Sequence, residues 1–155
     1  MDKQGVLLQF ISNKIAITTF SAWFIAQVIK VIRGIIVEKK FNFKWFVGTG
    51  GMPSSHAAGV VALTTGVGLN EGVHTALFVI TLMFTIIVIC DAQGVRRSTV
   101  QQAEILNTIM EDIYWKKRIQ EDKLKELIGH TPTEVLMGII VGLIVAFGIH
   151  YIGKG

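Results

Sequence analysis

The sequence is poor in the residues that mark several common protein classes. Only 17% of its 155 residues are charged, against about a quarter in soluble domains, and a soluble domain of this size has little interior for apolar side chains. One cysteine, Cys90, excludes a disulfide framework and a cysteine-based zinc site. Two prolines exclude a proline-rich disordered chain. The composition is instead 51% hydrophobic with a mean hydropathy of +0.55, which favours a membrane protein.

Long stretches without charge predict four membrane-spanning helices. An ionised side chain near the bilayer centre costs about 2.5 to 3.5 kcal/mol, so spans are expected between the charges. Only Glu71 interrupts the stretch 54–90, and it lies in a predicted turn that divides this stretch in two. The second span is short for a hydrocarbon core of about 30 Å, so we expect it to tilt or to lie partly inside the bundle. The predicted spans are about 15–37, 54–69, 73–90 and 131–152.

The segments outside the spans are predicted to lie at the membrane surface. Apolar residues recur at helical spacing in an amphipathic segment over about 97–128, and charged residues cover its opposite face. Residues 1–12 are too short for a span and lack a signal-peptide cleavage site, which favours an interfacial helix. We therefore predict an all-α integral membrane protein, a single membrane domain over 1–155 with a bundle of about four transmembrane helices plus interfacial amphipathic helices.

The basic residues fall mainly on one side of this predicted bundle. Ten of the fifteen lysines and arginines lie in the segments 38–53 and 91–130, which the four spans place on the same side. The positive-inside rule then places that side in the cytoplasm. The net charge of +4 is accordingly interpreted as a surface for anionic lipid headgroups, with no nucleic acid as partner.

A first polar cluster, GGMPSSH at 50–56, opens the second span. Pro53 suits a first helical turn, glycines let the backbone approach a ligand closely, and the amides of a helix start at Ser54 and Ser55 form an anion site. His56 would exchange a proton beside that anion near neutral pH. The alternative interpretation is a capped helix start with an interfacial histidine.

Three basic side chains are candidates for holding an anion on the same face. Arg96 and Arg97 end the motif DAQGVRR at 91–97, and their forked donors match phosphate oxygens. Anchoring of the two arginines at lipid headgroups is the alternative. Lys30 lies about two turns inside the first span, where it either extends to the interface or points inward at the same anion.

A third polar cluster, at 129–138, opens the fourth span. Thr131 and Glu134 have the spacing of a capping box, in which the carboxylate satisfies backbone amides. The functional alternative makes His130 a nucleophile or base whose second ring nitrogen is held by Glu134. If His56 and His130 act on one phosphate, their ring nitrogens should lie about 5 to 8 Å apart.

Small residues recur every four positions in two of the predicted spans. They are Ala58, Ala62 and Gly66 in the second span, and Gly138, Gly142 and Ala146 in the fourth. Such rows let helix backbones approach closely, within one chain or between chains. Both a monomer and a homo-oligomer therefore stay open.

In order along the chain, the motifs GGMPSSH, DAQGVRR and GHTPTEV resemble a small divergent branch of the type 2 phosphatidic acid phosphatase and vanadium haloperoxidase superfamily. The resemblance covers about residues 23–142. It implies that His130 attacks phosphorus to form a phosphohistidine, that Glu134 holds its imidazole, and that His56 protonates the leaving oxygen and then activates water. It also implies no metal and no cofactor. The residues assigned to the phosphate oxygens are Lys30 and Arg96 or Arg97, beside Ser54 and Ser55.

The chain departs from the parent pattern at several positions. Ser55 replaces the glycine of Pro-Ser-Gly-His, and Glu134 replaces an aspartate. The parent arginine lies six residues before the nucleophile, where this chain has Leu124. We therefore assign its role to Arg96 or Arg97, with the amphipathic segment inserted before His130. Less favoured substitutes are Lys123 and Lys125.

The leading functional hypothesis is a phosphatase of membrane lipids, acting at the cytoplasmic surface of a bacterial cell membrane. Phosphatidylglycerophosphate, phosphatidate and polyprenyl mono- or diphosphates all fit as the lipid substrate. The alternative is a non-catalytic membrane protein that binds anionic lipid or a partner through its basic face. A small channel or transporter is a third hypothesis, and it would need polar residues deep in the spans.

Overall fold

The computed structural model describes residues 3–39, 51–113 and 130–153, and the regular secondary structure within these ranges is helical. This confirms the predicted all-α fold class. The helices are α1 (Lys3–Ile11), α2 (Lys14–Glu38), α3 (Ser55–Asn70), α4 (Ala76–Ile113) and α5 (Pro132–Ile152).

Within the described ranges, three helical segments are long and apolar enough to cross a membrane, namely Lys14–Val37, Ala76–Gln93 and Pro132–Ile152. The helix α3 has 16 residues and is therefore roughly 24 Å long, which is less than the hydrocarbon core of about 30 Å. It packs against α2, α4 and α5, and most of its side chains are buried by them. A position inside the bundle is one of the two that we expected for so short a span.

Glycines allow α3 and α5 to pack with their backbones in contact. A Cβ at Gly142 would lie 2.6 Å from the Ala58 carbonyl oxygen, and one at Gly138 would collide with the Ser54 carbonyl oxygen. Both glycines belong to the small-residue row of the fourth predicted span. Within the described residues, the row thus serves packing inside one chain, and it brings the start of α5 beside the start of α3.

Hydroxyl groups link α3 to α4 in the middle of the bundle. The Thr64 hydroxyl lies 2.8 Å from the Thr85 hydroxyl and donates to the Thr81 carbonyl oxygen at 2.9 Å. The Thr85 hydroxyl also contacts the Val60 carbonyl oxygen at 2.9 Å. These threonines are among the few polar residues that a channel would have needed, and the structure uses them to hold two helices together.

The helix α4 continues without a break far beyond the predicted third span. It has 38 residues, and it contains the predicted third span from Ala76 onward together with the first part of the predicted amphipathic segment. No proline occurs between 91 and 113, and a single glycine at Gly94 costs a helix only about 1 kcal/mol relative to alanine. Residues 114–129 lie outside the described ranges, and the position of the amphipathic segment at the membrane surface stays a prediction.

Candidate active site

A capping box sets the position of His130 at the start of α5. Thr131 is the N-cap, and its hydroxyl accepts a hydrogen bond from the Glu134 amide at 3.1 Å. The Glu134 carboxylate accepts in return from the Thr131 amide at 2.8 Å. Pro132 occupies the first turn, where its missing N–H is not needed. The predicted capping box is thereby confirmed. It fixes the start of α5, and His130, the residue just before the N-cap, is buried against the bundle.

The same carboxylate oxygen of Glu134 also faces the His130 ring. Its Oε2 atom lies 3.4 Å from His130 Nδ1, slightly beyond the usual range for a hydrogen bond. The capping interpretation and the catalytic interpretation of Glu134 are therefore compatible, since one oxygen serves both contacts. With Nδ1–H directed at this carboxylate, Nε2 is the ring nitrogen left to act on another group.

The two candidate histidines lie side by side. The ring centroids of His56 and His130 are 5.8 Å apart, and the ring planes are inclined by 53°. His130 is only 5% exposed, whereas His56, in the first turn of α3, is exposed. One phosphate placed at this face can therefore contact an enclosed histidine and an accessible one.

Lys30 points into the bundle from α2. It is only 5% exposed, so of its two expected positions it takes the inward one. Gly51 has φ +105°, and a Cβ there would lie 2.9 Å from Lys30 Cδ. Glycine at this position thus makes room for the stem of the lysine, whereas the sequence suggested room for a ligand. The Lys30 charge interacts with Glu134 and His130.

A backbone hydrogen bond joins the two helix starts directly. The Ser54 amide donates to the Glu134 carbonyl oxygen at 2.9 Å, and the Ser54 hydroxyl accepts from the Ala57 amide at 3.3 Å. Ser54 therefore caps α3 and ties it to α5. Because the Ser54 amide is already used, the amides of Ser55 and His56 in the first turn are the ones left to bind an anion.

Comparison with known proteins agrees with these sequence motifs. The sequence matches the divergent PAP2 family over residues 11–145, which is most of the chain. This chain belongs to the divergent PAP2 family. It is also 36% identical to the uncharacterized membrane protein YuiD of Bacillus subtilis (strain 168), over 93% of this chain and 98% of that one. No solved structure matches it.

Membership of the divergent PAP2 family confirms the resemblance read from the three motifs and supports an integral membrane location. The matched range contains both histidines of the site and Glu134. It also contains Arg96 and Arg97, which belong to α4, but their side chains lie outside the described part of the structure. A phosphate-binding role for either arginine therefore stays a prediction.

The surroundings of His130 in this divergent PAP2 protein favour its neutral form. Burial is the largest effect and lowers the pKa of His130 below its ordinary value of 6.5. The carboxylate of Glu134 opposes this by hydrogen bonding and by charge, while His56 and Lys30 add to the lowering. A neutral imidazole at ordinary pH keeps its Nε2 lone pair available.

One buried polar residue near Lys30, Gln27, was not predicted from the sequence. Gln27 lies one turn before Lys30 on α2, and each of these side chains is 5% exposed. Residues three apart lie on the same face of a helix. Gln27, three positions before Lys30 in an otherwise apolar run, was therefore the signal in the sequence for a second polar side chain on that face.

Proposed function

We propose that this protein is a metal-independent membrane lipid phosphatase that works through a phosphohistidine on His130. One observation carries the proposal: a buried histidine, oriented by a carboxylate, lies with its ring centroid 5.8 Å from that of an exposed histidine. This supports the proposal, because His130 could act as a nucleophile, Glu134 could orient it and His56 could donate a proton to the same phosphate.

In the first step, His130 Nε2 attacks the phosphorus of the lipid phosphate. The new N–P bond forms as the bond from phosphorus to the lipid oxygen breaks. Protonated His56 gives its proton to that leaving oxygen, so the lipid departs as an alcohol or as a lower phosphate. Glu134 holds Nδ1–H and stabilises the positive charge that develops on the imidazole.

In the second step, a water molecule replaces His130 on phosphorus. His56, now neutral, accepts a proton from the water as its oxygen attacks, and the N–P bond breaks. Inorganic phosphate leaves, His130 is neutral again, and His56 carries the proton needed for the next cycle. Lys30 and the first-turn amides of α3 stabilise the charge on the phosphate oxygens in both steps, together with Arg96 or Arg97.

The membrane position defines the class of substrate. The site lies at one end of helices whose apolar lengths suit a bilayer, so a phosphate attached to a lipid reaches it at the membrane surface. The excess of basic residues on that side favours anionic headgroups and a cytoplasmic active face of a bacterial cell membrane. Phosphatidylglycerophosphate, phosphatidate and polyprenyl mono- or diphosphates are the candidate substrates.

Phosphate release from purified protein tests this function. The wild type in lipid nanodiscs should release phosphate from at least one member of this substrate panel, and it should do so with EDTA present. A known lipid phosphatase in the same nanodiscs serves as the positive control. If the wild type releases none where the control is active, the enzymatic proposal is wrong, and a non-catalytic lipid-binding protein becomes the better explanation.

The pH dependence of kcat/KM should reflect the lowered pKa of His130. Attack requires neutral His130, so kcat/KM should persist as the pH falls through 6.5 and should decline only at the lower pKa of the buried ring. A pH profile of initial rates on the best substrate measures this. An acid limb centred at or above 6.5 would contradict the assignment of His130 as the buried nucleophile.

Replacement of Glu134 by glutamine separates its two contacts. The glutamine side chain can still accept from the Thr131 amide, so thermal stability should change little. Its neutral amide no longer stabilises an imidazolium and can favour the wrong tautomer of His130, so kcat should fall by up to about 10⁴-fold. The acid limb of the pH profile should also move lower, since Glu134 raises the pKa of His130. A variant with near wild-type kcat and an unmoved limb would reduce Glu134 to a capping residue.

A further inference from the structure

A cavity of about 400 Å³ opens beside the catalytic face. Ser55 and His56 border one end of it, and it follows α3 past Gly59 to Leu63. Eight residues of helix separate its ends along α3, so the cavity is roughly 12 Å long in that direction. It thus begins at the proposed proton donor and extends into the bundle away from the membrane surface.

The other walls come from α2 and α4. Phe20 and Trp23 line one side, and Phe84 and Val88 line the other. These residues belong to segments that are apolar and long enough to cross a membrane, so the cavity lies at the depth of the lipid tails. Phe20 is 59% exposed and Phe84 is 49% exposed, so the cavity is open on its side, where a bilayer would surround it. We call it the tail groove.

We propose that the tail groove holds one hydrocarbon chain of the substrate, with the phosphate ester at its His56 end. This inference rests on the proposed function and extends it by naming what the site recognises beyond phosphate. The walls are apolar over their length, while the catalytic groups stand at one end, which matches a molecule with a charged head and a long apolar tail.

The size of the groove supports a single chain. Its volume is near the lower end of the range of about 300 to 1,000 Å³ that is typical of ligand sites. A lipid with two acyl chains would place one chain in the groove and leave the other in the bilayer. A phosphate ester with one chain, either unbranched or isoprenoid, is therefore sufficient to contact both the two histidines and the tail groove.

The groove acts on a membrane lipid mainly by positioning it. A bilayer is as apolar as the groove walls, so transfer of a long chain between them changes the free energy little. A chain held along α3 nevertheless keeps the ester next to the two histidines, which lowers the entropic cost of reaching the reactive geometry. A short-chain phosphate arriving from water would gain the full benefit of apolar burial as well.

Gly59 forms part of the groove and allows it to be filled experimentally. A Cβ at this position would lie 3.7 Å from Trp23 Cβ, which is an ordinary contact, so the neighbouring helix does not forbid a side chain. Leucine at 59 would place its branches in the groove. Gly148 provides the matched control, because a Cβ there would have nothing within 4 Å.

The test compares ethyl, butyl, hexyl and octyl monophosphate, each below its micelle concentration, with the protein in phosphatidylcholine nanodiscs. For the wild type, kcat/KM should rise up to about fourfold for each added methylene until the groove is filled. Gly59→Leu should bring the octyl-to-ethyl ratio of kcat/KM close to one. Gly148→Leu should keep the wild-type ratio.

The outcomes separate this inference from the proposed function. If the wild type hydrolyses none of the phosphates or lipids, the function itself is wrong. If it hydrolyses all chain lengths with equal kcat/KM, or if Gly59→Leu keeps the wild-type ratio, the tail groove is wrong and the phosphatase stands. Val88→Trp narrows the groove from α4 and should also bring the octyl-to-ethyl ratio of kcat/KM close to one. This variant therefore tests the tail groove if Gly59→Leu does not fold.

Discussion

Replacement of His130 by alanine is expected to reduce phosphate release by about 10⁴-fold or more, because the variant loses the ring nitrogen that is proposed to attack phosphorus. Wild-type protein quenched during turnover should carry an acid-labile, base-stable phosphate that the variant lacks. Labelled substrate would measure phosphate release, and gel analysis at alkaline pH would detect the protein-bound phosphate in the same sample.

Two further histidines in the chain provide matched controls. His74 lies between α3 and α4, and His150 lies in the last turn of α5, both at the opposite end of the bundle from the site. His74→Ala and His150→Ala should retain wild-type activity. Because His130 is buried, His130→Gln should be measured beside the alanine variant, with a thermal melt of each. A folded His130 variant that keeps more than about a tenth of the activity would overturn the nucleophile assignment.

Replacement of His56 by alanine is expected to reduce hydrolysis of a lipid phosphate by about 10² to 10⁴-fold, since both proton transfers lose their partner. An aryl phosphate has a leaving group that departs without a proton. With that substrate, the variant should still form the phosphohistidine at an appreciable rate, while hydrolysis of the phosphohistidine should remain slow. The phosphohistidine should therefore accumulate, and a burst of one aryl alcohol per active protein should precede a slow steady rate.

This behaviour distinguishes a proton donor from a structural residue. His56 is exposed, so its loss should leave the thermal stability close to that of the wild type. Equal losses on lipid and aryl phosphates, with no burst and no trapped intermediate, would show that His56 does not carry out the proton transfers.

Much of the fold could be predicted from the sequence because a bilayer makes charge expensive. The positions of Glu71 and of the basic segments separate the apolar runs, and the helices α2, α3 and α5 lie close to three of those runs. The capping residues Thr131 and Glu134 also act over a few residues, so their geometry follows from local spacing. The continuation of α4 beyond the predicted span 73–90 was harder to predict, because helix propensity is independent of where the membrane ends.

The arrangement of the candidate site depended on contacts between distant segments. Nothing in the sequence around Lys30 decides between the membrane surface and the bundle interior, because a lysine at that depth can take either direction. The structure turns it inward beside Gly51. Likewise, the bond from the Ser54 amide to the Glu134 carbonyl oxygen joins two motifs that are far apart in the chain.

By itself, the sequence determined that this chain is a helical membrane protein of the divergent PAP2 type, with two histidines and a carboxylate in helix-opening motifs. These features depend on composition, on local spacing and on the cost of charge in a bilayer. Only the tertiary structure decided that His56 and His130 adjoin, that Lys30 faces inward, and that an apolar groove begins at His56. Those features depend on the close packing that Gly138 and Gly142 permit between α3 and α5, and on the gap left between α2 and α4.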